Sequence, residues 1–186
     1  MQKAGIQSAA ALVPLVIATA LFGQGGSLKP ITYASDGSIP LPDYRKWVFI
    51  GSFTAPAEPG HNPQLTTTFV EPAAYDIYMK TGLWPDRTII FSEKRASVNT
   101  VPITKGGWSQ SGGVLAAEIE VKDQSKGGWV FYQASAREKT AIRIDKSMPC
   151  YSCHAEKGAV DNTFVQFYPA LIEAAKKNGT YKPPAT

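Results

Sequence analysis

Cys150-Tyr-Ser-Cys153-His154 brings together three side chains that can hold an iron porphyrin. Two thiols three residues apart can each add across one vinyl group of haem, forming two thioethers. The histidine that follows at once then lies beneath the iron as an axial ligand. The expected cofactor is one haem c, covalently attached through Cys150 and Cys153, with His154 as the metal ligand. Two other chemistries use these residue types. A structural zinc site needs four Cys or His ligands. The chain has two cysteines and two histidines, and His61 is far off in a loop rich in Pro and Gly. A thioredoxin-like dithiol opens a helix of a βαβ unit, whereas no parallel-sheet pattern surrounds Met148-Pro149.

The sixth iron position separates electron carriers from ligand binders. Carriers fill it with Met or a second His. Met148 is too near the motif to reach the opposite face. Met79 suits a core-facing helix position, and His61 suits a solvated loop. Five-coordinate iron with an open face is therefore expected. Such iron binds small molecules such as nitric oxide, hydroxylamine or peroxide.

The chain's start and its composition bound where this chemistry happens. Lys3 precedes a mostly apolar run from Ala9 to Phe22, which reads as a signal peptide over residues 1–23, cleaved within about 20–26. Residues 27–186 then make one domain with a real core. Export to the periplasm fits thioether attachment, which takes place outside the bacterial cytoplasm. The formal charge is +4. No Lys/Arg block stands out, so nucleic-acid binding has no support. Lys176, Lys177 and Lys182 read as a solvated tail.

Several elements must position the motif. Asp43 caps a short helical turn, and Trp47 to Ile50 reads as a strand. Thr54 to Pro63 is a loop, and Leu65 to Val70 a strand. Pro72 opens a helix that Gly82 stops, with Tyr75, Tyr78 and Met79 on one face. Thr88 to Lys94 is a strand, and Asn99 to Gly113 a loop. In the strand Val114 to Val121, residues Leu115, Ala117, Ile119 and Val121 face one way and Ala116, Glu118 and Glu120 the other. Lys122 to Gly128 turns into a strand from Trp129 to Ala134. After the motif, a helix runs from Pro169 to Lys177. Leu171, Ile172 and Ala175 face its core side, and Gly179 closes it. Phe164, Phe167 and Tyr168 can pack on the porphyrin or in the core. The fold class is α+β, mainly an antiparallel β-sheet with a few helices and a C-terminal haem motif and helix.

The ordered segments Asp43–Gly51, Phe69–Tyr75, Lys80-Thr-Gly82, Gly128–Tyr132 and Cys150–His154, followed by Phe164-x-x-Phe-Tyr-Pro169, resemble cytochrome P-460 and its relatives, the cytochromes c′-beta. The resemblance implies a mainly antiparallel homodimer with five-coordinate haem and a soluble electron-transfer partner. The P-460 branch oxidises hydroxylamine, with nitric oxide, to nitrous oxide; the c′-beta branch binds nitric oxide on an apolar face. The P-460 lysine cross-linked to the porphyrin falls at Ser92, with Lys94 as the nearby substitute on the same strand face. A distal arginine of that branch falls at about Thr66. Glu118 matches a glutamate that moves protons during oxidation, or marks the solvent side of its strand together with Glu120. Phe69 and Phe91 are candidate distal caps of the c′-beta kind, or core. Three functions stay open: a haem enzyme oxidising hydroxylamine, a nitric oxide binder without turnover, and a plain electron-transfer cytochrome.

Overall fold

Seven strands, in the order β1-β7-β6-β5-β4-β3-β2, form one sheet with antiparallel pairing throughout. They are β1 Ile39–Pro40, β2 Val48–Thr54, β3 Leu65–Val70, β4 Ile89–Val98, β5 Ser109–Asp123, β6 Gly128–Ser135 and β7 Thr140–Arg143. Among the described residues three α-helices accompany them: α1 Pro72–Thr81, α2 Pro149–Lys157 and α3 Pro169–Lys177. The structure is a computed structural model and describes residues 28–54, 59–100, 103 and 106–183. The expected signal peptide at 1–23 lies outside the described residues.

Directly paired residues in antiparallel strands share a face. One face therefore carries Val70, Ile90, Glu120 and Phe131 in a single row across β3–β6. Helices α1 and α3 cover much of it. Val70, Ile90 and Phe131 pack with Tyr78, Trp84, Val165 and Leu171 into one core. The opposite face carries Phe69, Phe91, Ile119 and Tyr132. There the lead-in segment folds back, so that Ile31, Ile39, Leu41 and Tyr44 close a second core. Tyr44 stacks on Phe91 at 4.0 Å and donates to the buried Glu93 carboxylate, which also accepts from Arg95 Nε at 2.8 Å.

Several expectations need correction. The Asn99–Gly113 stretch is not all loop, because β4 and β5 extend to pair Val98 with Ser109. Backbone pairing in that extension does not require apolar alternation, so its Gly/Ser composition concealed it. The register shifts twice around Arg95, and neighbouring Leu115 is left 44% exposed instead of facing the core. In α1 the buried row is Ala74 and Tyr78, one turn apart, while Met79 points outward. Asp43 precedes the turn Tyr44–Lys46 but makes no side-chain cap bond. Phe69 and Phe91 both pack around Tyr44 on the second face, so they are core residues and lie on the side of the sheet opposite Glu118 and Glu120.

Tyr168, at the start of α3, lies flat over β2 and β3. Its hydroxyl donates to Thr68 Oγ1 at 3.2 Å. A Cβ on Gly51 would stand 2.5 Å from Tyr168 Cδ1, so only glycine admits the ring. Gly51→Ala is expected to destabilise the fold by about 1–3 kcal/mol through overpacking, read by urea denaturation.

Candidate functional site

Pro149 opens α2 with Met148 extended before it, an arrangement that fits the fixed φ of proline at a first helical position. Helical spacing then brings Cys150, Cys153 and His154 to one side, at i, i+3 and i+4. Tyr151, one turn before His154 on the adjoining flank, fastens the helix to the sheet. Its hydroxyl accepts from Phe131 N–H at 3.1 Å and donates to the Ile144 carbonyl at 3.3 Å. Phe131 lies between Tyr151 and His154, with both ring centroids 4.5 Å away. Both cysteines are free thiols; Cys150 is half-buried and Cys153 exposed.

His154 has its Nδ1 atom 2.9 Å from the Asn162 carbonyl. A carbonyl only accepts, so this contact places the proton on Nδ1 and leaves the Nε2 lone pair for a metal. Phe131 and Phe164 flank the ring, the latter at 4.2 Å. Burial lowers the His154 pKa against the opposing pull of the Asn162 bond and the Glu118 charge. The ring is thereby held neutral, as ligation requires.

Glu120 is the buried acid of the site. Its side chain is 19% exposed, and its covered Oε2 has no hydrogen-bond partner. That oxygen lies 4.0 Å from His154 Nδ1. Burial, then the nearby Glu118 charge, pushes its pKa up to about 8. Glu118 faces the same way two residues earlier but is exposed and ion-paired with Lys94. The two carboxyls therefore differ in position. Glu120 lies on the Nδ1 side of the imidazole, away from the Nε2 atom that would hold a metal. A cavity of about 220 Å³ is lined by Glu118, Glu120, Phe131, Cys150, Cys153, His154 and Phe164, among others. Three larger hollows among the described residues, of about 400, 320 and 410 Å³, hold neither cysteine nor histidine.

Residues 41–165, more than half of the chain, match the family model described as cytochrome P-460. The chain belongs to the cytochrome P-460 family. Among curated proteins no sequence matches it. Membership makes this a haem c cytochrome, and the residues of this cytochrome P-460 chain fit that group. Two thiols and a ligating nitrogen converge on one cavity. Beyond it, Phe167 is 52% exposed and Phe53 40% exposed. Their rings continue from Phe164 at centroid spacings of 5.7 and 5.9 Å, extending an apolar wall suited to a flat macrocycle. Among the described residues no group of three or more His, Cys, Asp or Glu side chains could hold a bare ion.

Of the residues singled out in the sequence, Cys150, Cys153, His154, Phe164 and Glu118 meet in the cavity. Lys94 joins them through Glu118, and Phe167 through Phe164. Ser92 pairs with Glu118 across the sheet, and the buried Thr66 pairs with Lys94. Sequence reasoning missed Glu120 as a buried acid, and it missed Tyr151 and Asn162. The shared alternation of Glu118 and Glu120 was the available signal.

The Glu120 shift has a defined sign. In this fold the carboxyl keeps its proton up to about 8, whereas the unfolded chain releases it near 4.5. The contribution of Glu120 to stability therefore falls as pH rises from about 4.5 to about 8 and levels off above that. Glu120→Gln is expected to remove this fall, which at its steepest is about 1.4 kcal/mol per pH unit. Denaturant unfolding across that pH range checks it.

Proposed function

We propose that this protein is an exported mono-haem cytochrome that binds small nitrogen species, hydroxylamine or nitric oxide, on the iron face opposite His154, and oxidises them. One observation carries the reading: His154 commits Nδ1 to Asn162 and offers Nε2 inside a cavity that no methionine and no second histidine lines. Cys150 and Cys153 tether the haem. When bound, haem c supplies the redox-active iron, and the chain supplies binding, polarity and access. The described candidates for a sixth ligand are elsewhere: Met79 and His61 are exposed, and Met148 precedes α2. This disfavours a plain electron carrier.

Glu118 is the proton acceptor in this reading. It lies at the open side of the cavity, in water contact, with Lys94 holding its carboxylate. Oxidation of hydroxylamine together with nitric oxide to nitrous oxide and water releases one proton and one electron. Glu118 takes the proton, and a soluble electron-transfer partner takes the electron. Export through the leader to the periplasm and assembly as a homodimer belong to the same proposal.

A second reading is a nitric oxide binder without turnover. Ser92 occupies the place of the cross-linking lysine and bonds Thr68 Oγ1 at 3.0 Å, while the Lys94 amine is engaged by Glu118. Both observations favour an unmodified porphyrin edge.

The ferrous protein is expected to show a broad high-spin Soret band; sharp low-spin bands would instead mean a second protein ligand. Hydroxylamine oxidation with a chemical electron acceptor then separates the two readings. The enzyme reading expects turnover that Glu118→Gln cuts by about 10²-fold or more, the scale of a lost general base. No turnover by the native protein leaves the nitric oxide binder. Mass spectrometry of the digested haem peptide is expected to find two thioethers; a third link would place a cross-link at Lys94 or another residue.

A further inference from the structure

Behind His154, the chain makes a turn that looks built for one purpose. Thr163 N–H donates to the Val160 carbonyl at 2.8 Å, closing a four-residue turn over Val160–Thr163. Its two central residues, Asp161 and Asn162, both have positive φ, at 48° and 58°. That is the signature of a type I′ turn, and Asp and Asn are the non-glycine residues that tolerate it best. The turn is pressed against the end of α2. A Cβ on Gly158 would stand 2.6 Å from the Asn162 carbonyl carbon and 2.8 Å from its Cα.

Two outside contacts and one internal bond hold the turn in place. Lys122, from β5, reaches Asp161 Oδ2 at 2.6 Å and also donates to the Trp84 carbonyl at 2.6 Å. This pair is largely buried, with 12% and 25% side-chain exposure. Trp84 Nε1 donates to Thr163 Oγ1 at 3.0 Å, and Thr163 Oγ1 donates to the Val160 carbonyl at 2.7 Å. The product of this bracing is a single contact, the Asn162 carbonyl against His154 Nδ1.

We propose that the Val160–Thr163 turn, braced by Lys122 through Asp161, is a positioning device that sets the hydrogen bond behind the axial histidine and thereby the electronic character of the iron. Lys122, Asp161 and Asn162 are positioning residues; none reaches the ligand face. The proposal rests on the haem reading above. The partner of a ligating histidine's other nitrogen fixes its tautomer and raises its basicity. A stronger donor to iron raises the iron–histidine stretching frequency and lowers the midpoint potential. The geometry also selects the acceptor. The Asn162 carbonyl is at hydrogen-bond distance, whereas the Glu120 carboxyl is held off at 4.0 Å.

The test is resonance Raman spectroscopy and redox titration of the ferrous and ferric holoprotein. Asn162→Val, whose β-branched side chain disfavours positive φ, is expected to lower the iron–histidine frequency and raise the potential. Lys122→Met is expected to shift both in the same direction. Asn162→Gly keeps the carbonyl and permits the turn, so it should retain the native signature, as should Lys122→Arg, which restores the ion pair. A native frequency in both Asn162→Val and Lys122→Met overturns the device. A raised frequency also overturns it, because it makes Glu120 the acceptor. The mass of the native protein is measured first. Absence of covalent haem there sinks the site reading itself, whereas haem present with unshifted variants sinks only the turn's role.

Discussion

Helix α2 buries none of its own residues completely, yet it carries both thiols and the imidazole that fit the cofactor. Its place therefore depends on how Tyr151 and Phe131 lock it to β6. The Tyr151 hydroxyl satisfies the Phe131 amide, and the Phe131 ring separates Tyr151 from His154. Without that dock the nine-residue helix would be marginal, since short helices draw stability from packing rather than propensity. With it, the imidazole is delivered to the edge of a sheet face that α1 and α3 leave uncovered. The haem face is thus the remainder of a core that stops short of the strand ends.

Electrostatics divides that face into two compartments. Near the helices, Glu120 is enclosed and neutral up to about 8. Farther toward the middle of β5, Glu118 is solvated and ion-paired with Lys94. The two acids are two residues apart on one strand and share a side, so only depth distinguishes them. One is shut away from water without a hydrogen-bond partner for its buried oxygen, and the other is suited to exchanging protons with water. The pattern of β5 sets up this contrast, since its other side is committed to Ala117, Ile119 and Val121 in the second core.

Much of this was legible in the residues. The spacing of Cys150, Cys153 and His154 is the one that two thioethers and an adjacent axial imidazole need, so that expectation forms without a structure. Periodicity found β3 and α3 with their observed limits, and proline and glycine marked both ends of α1. The strands β1 and β7 went unseen because each is short, and β7 has a single buried residue, Ala141. The extension of β4 and β5 is held by backbone pairing that no side-chain pattern announces. The different burial of Glu118 and Glu120 depends on where α2 lands, a contact between segments about thirty residues apart in sequence. The turn at Asp161-Asn162 carried a local signal in its residue types, but its meaning lies in Lys122 and His154, which only folding brings close.

The aromatic run from Phe164 through Phe167 to Phe53 bears on how the molecule matures. Until a porphyrin covers it, this ridge is open to water beside two unprotected thiols. An exposed apolar strip of that kind invites self-association. Loading the cofactor is then also a solubilising event, and a chain that waits too long for its pigment is exposed to clumping and to oxidation of its sulfurs.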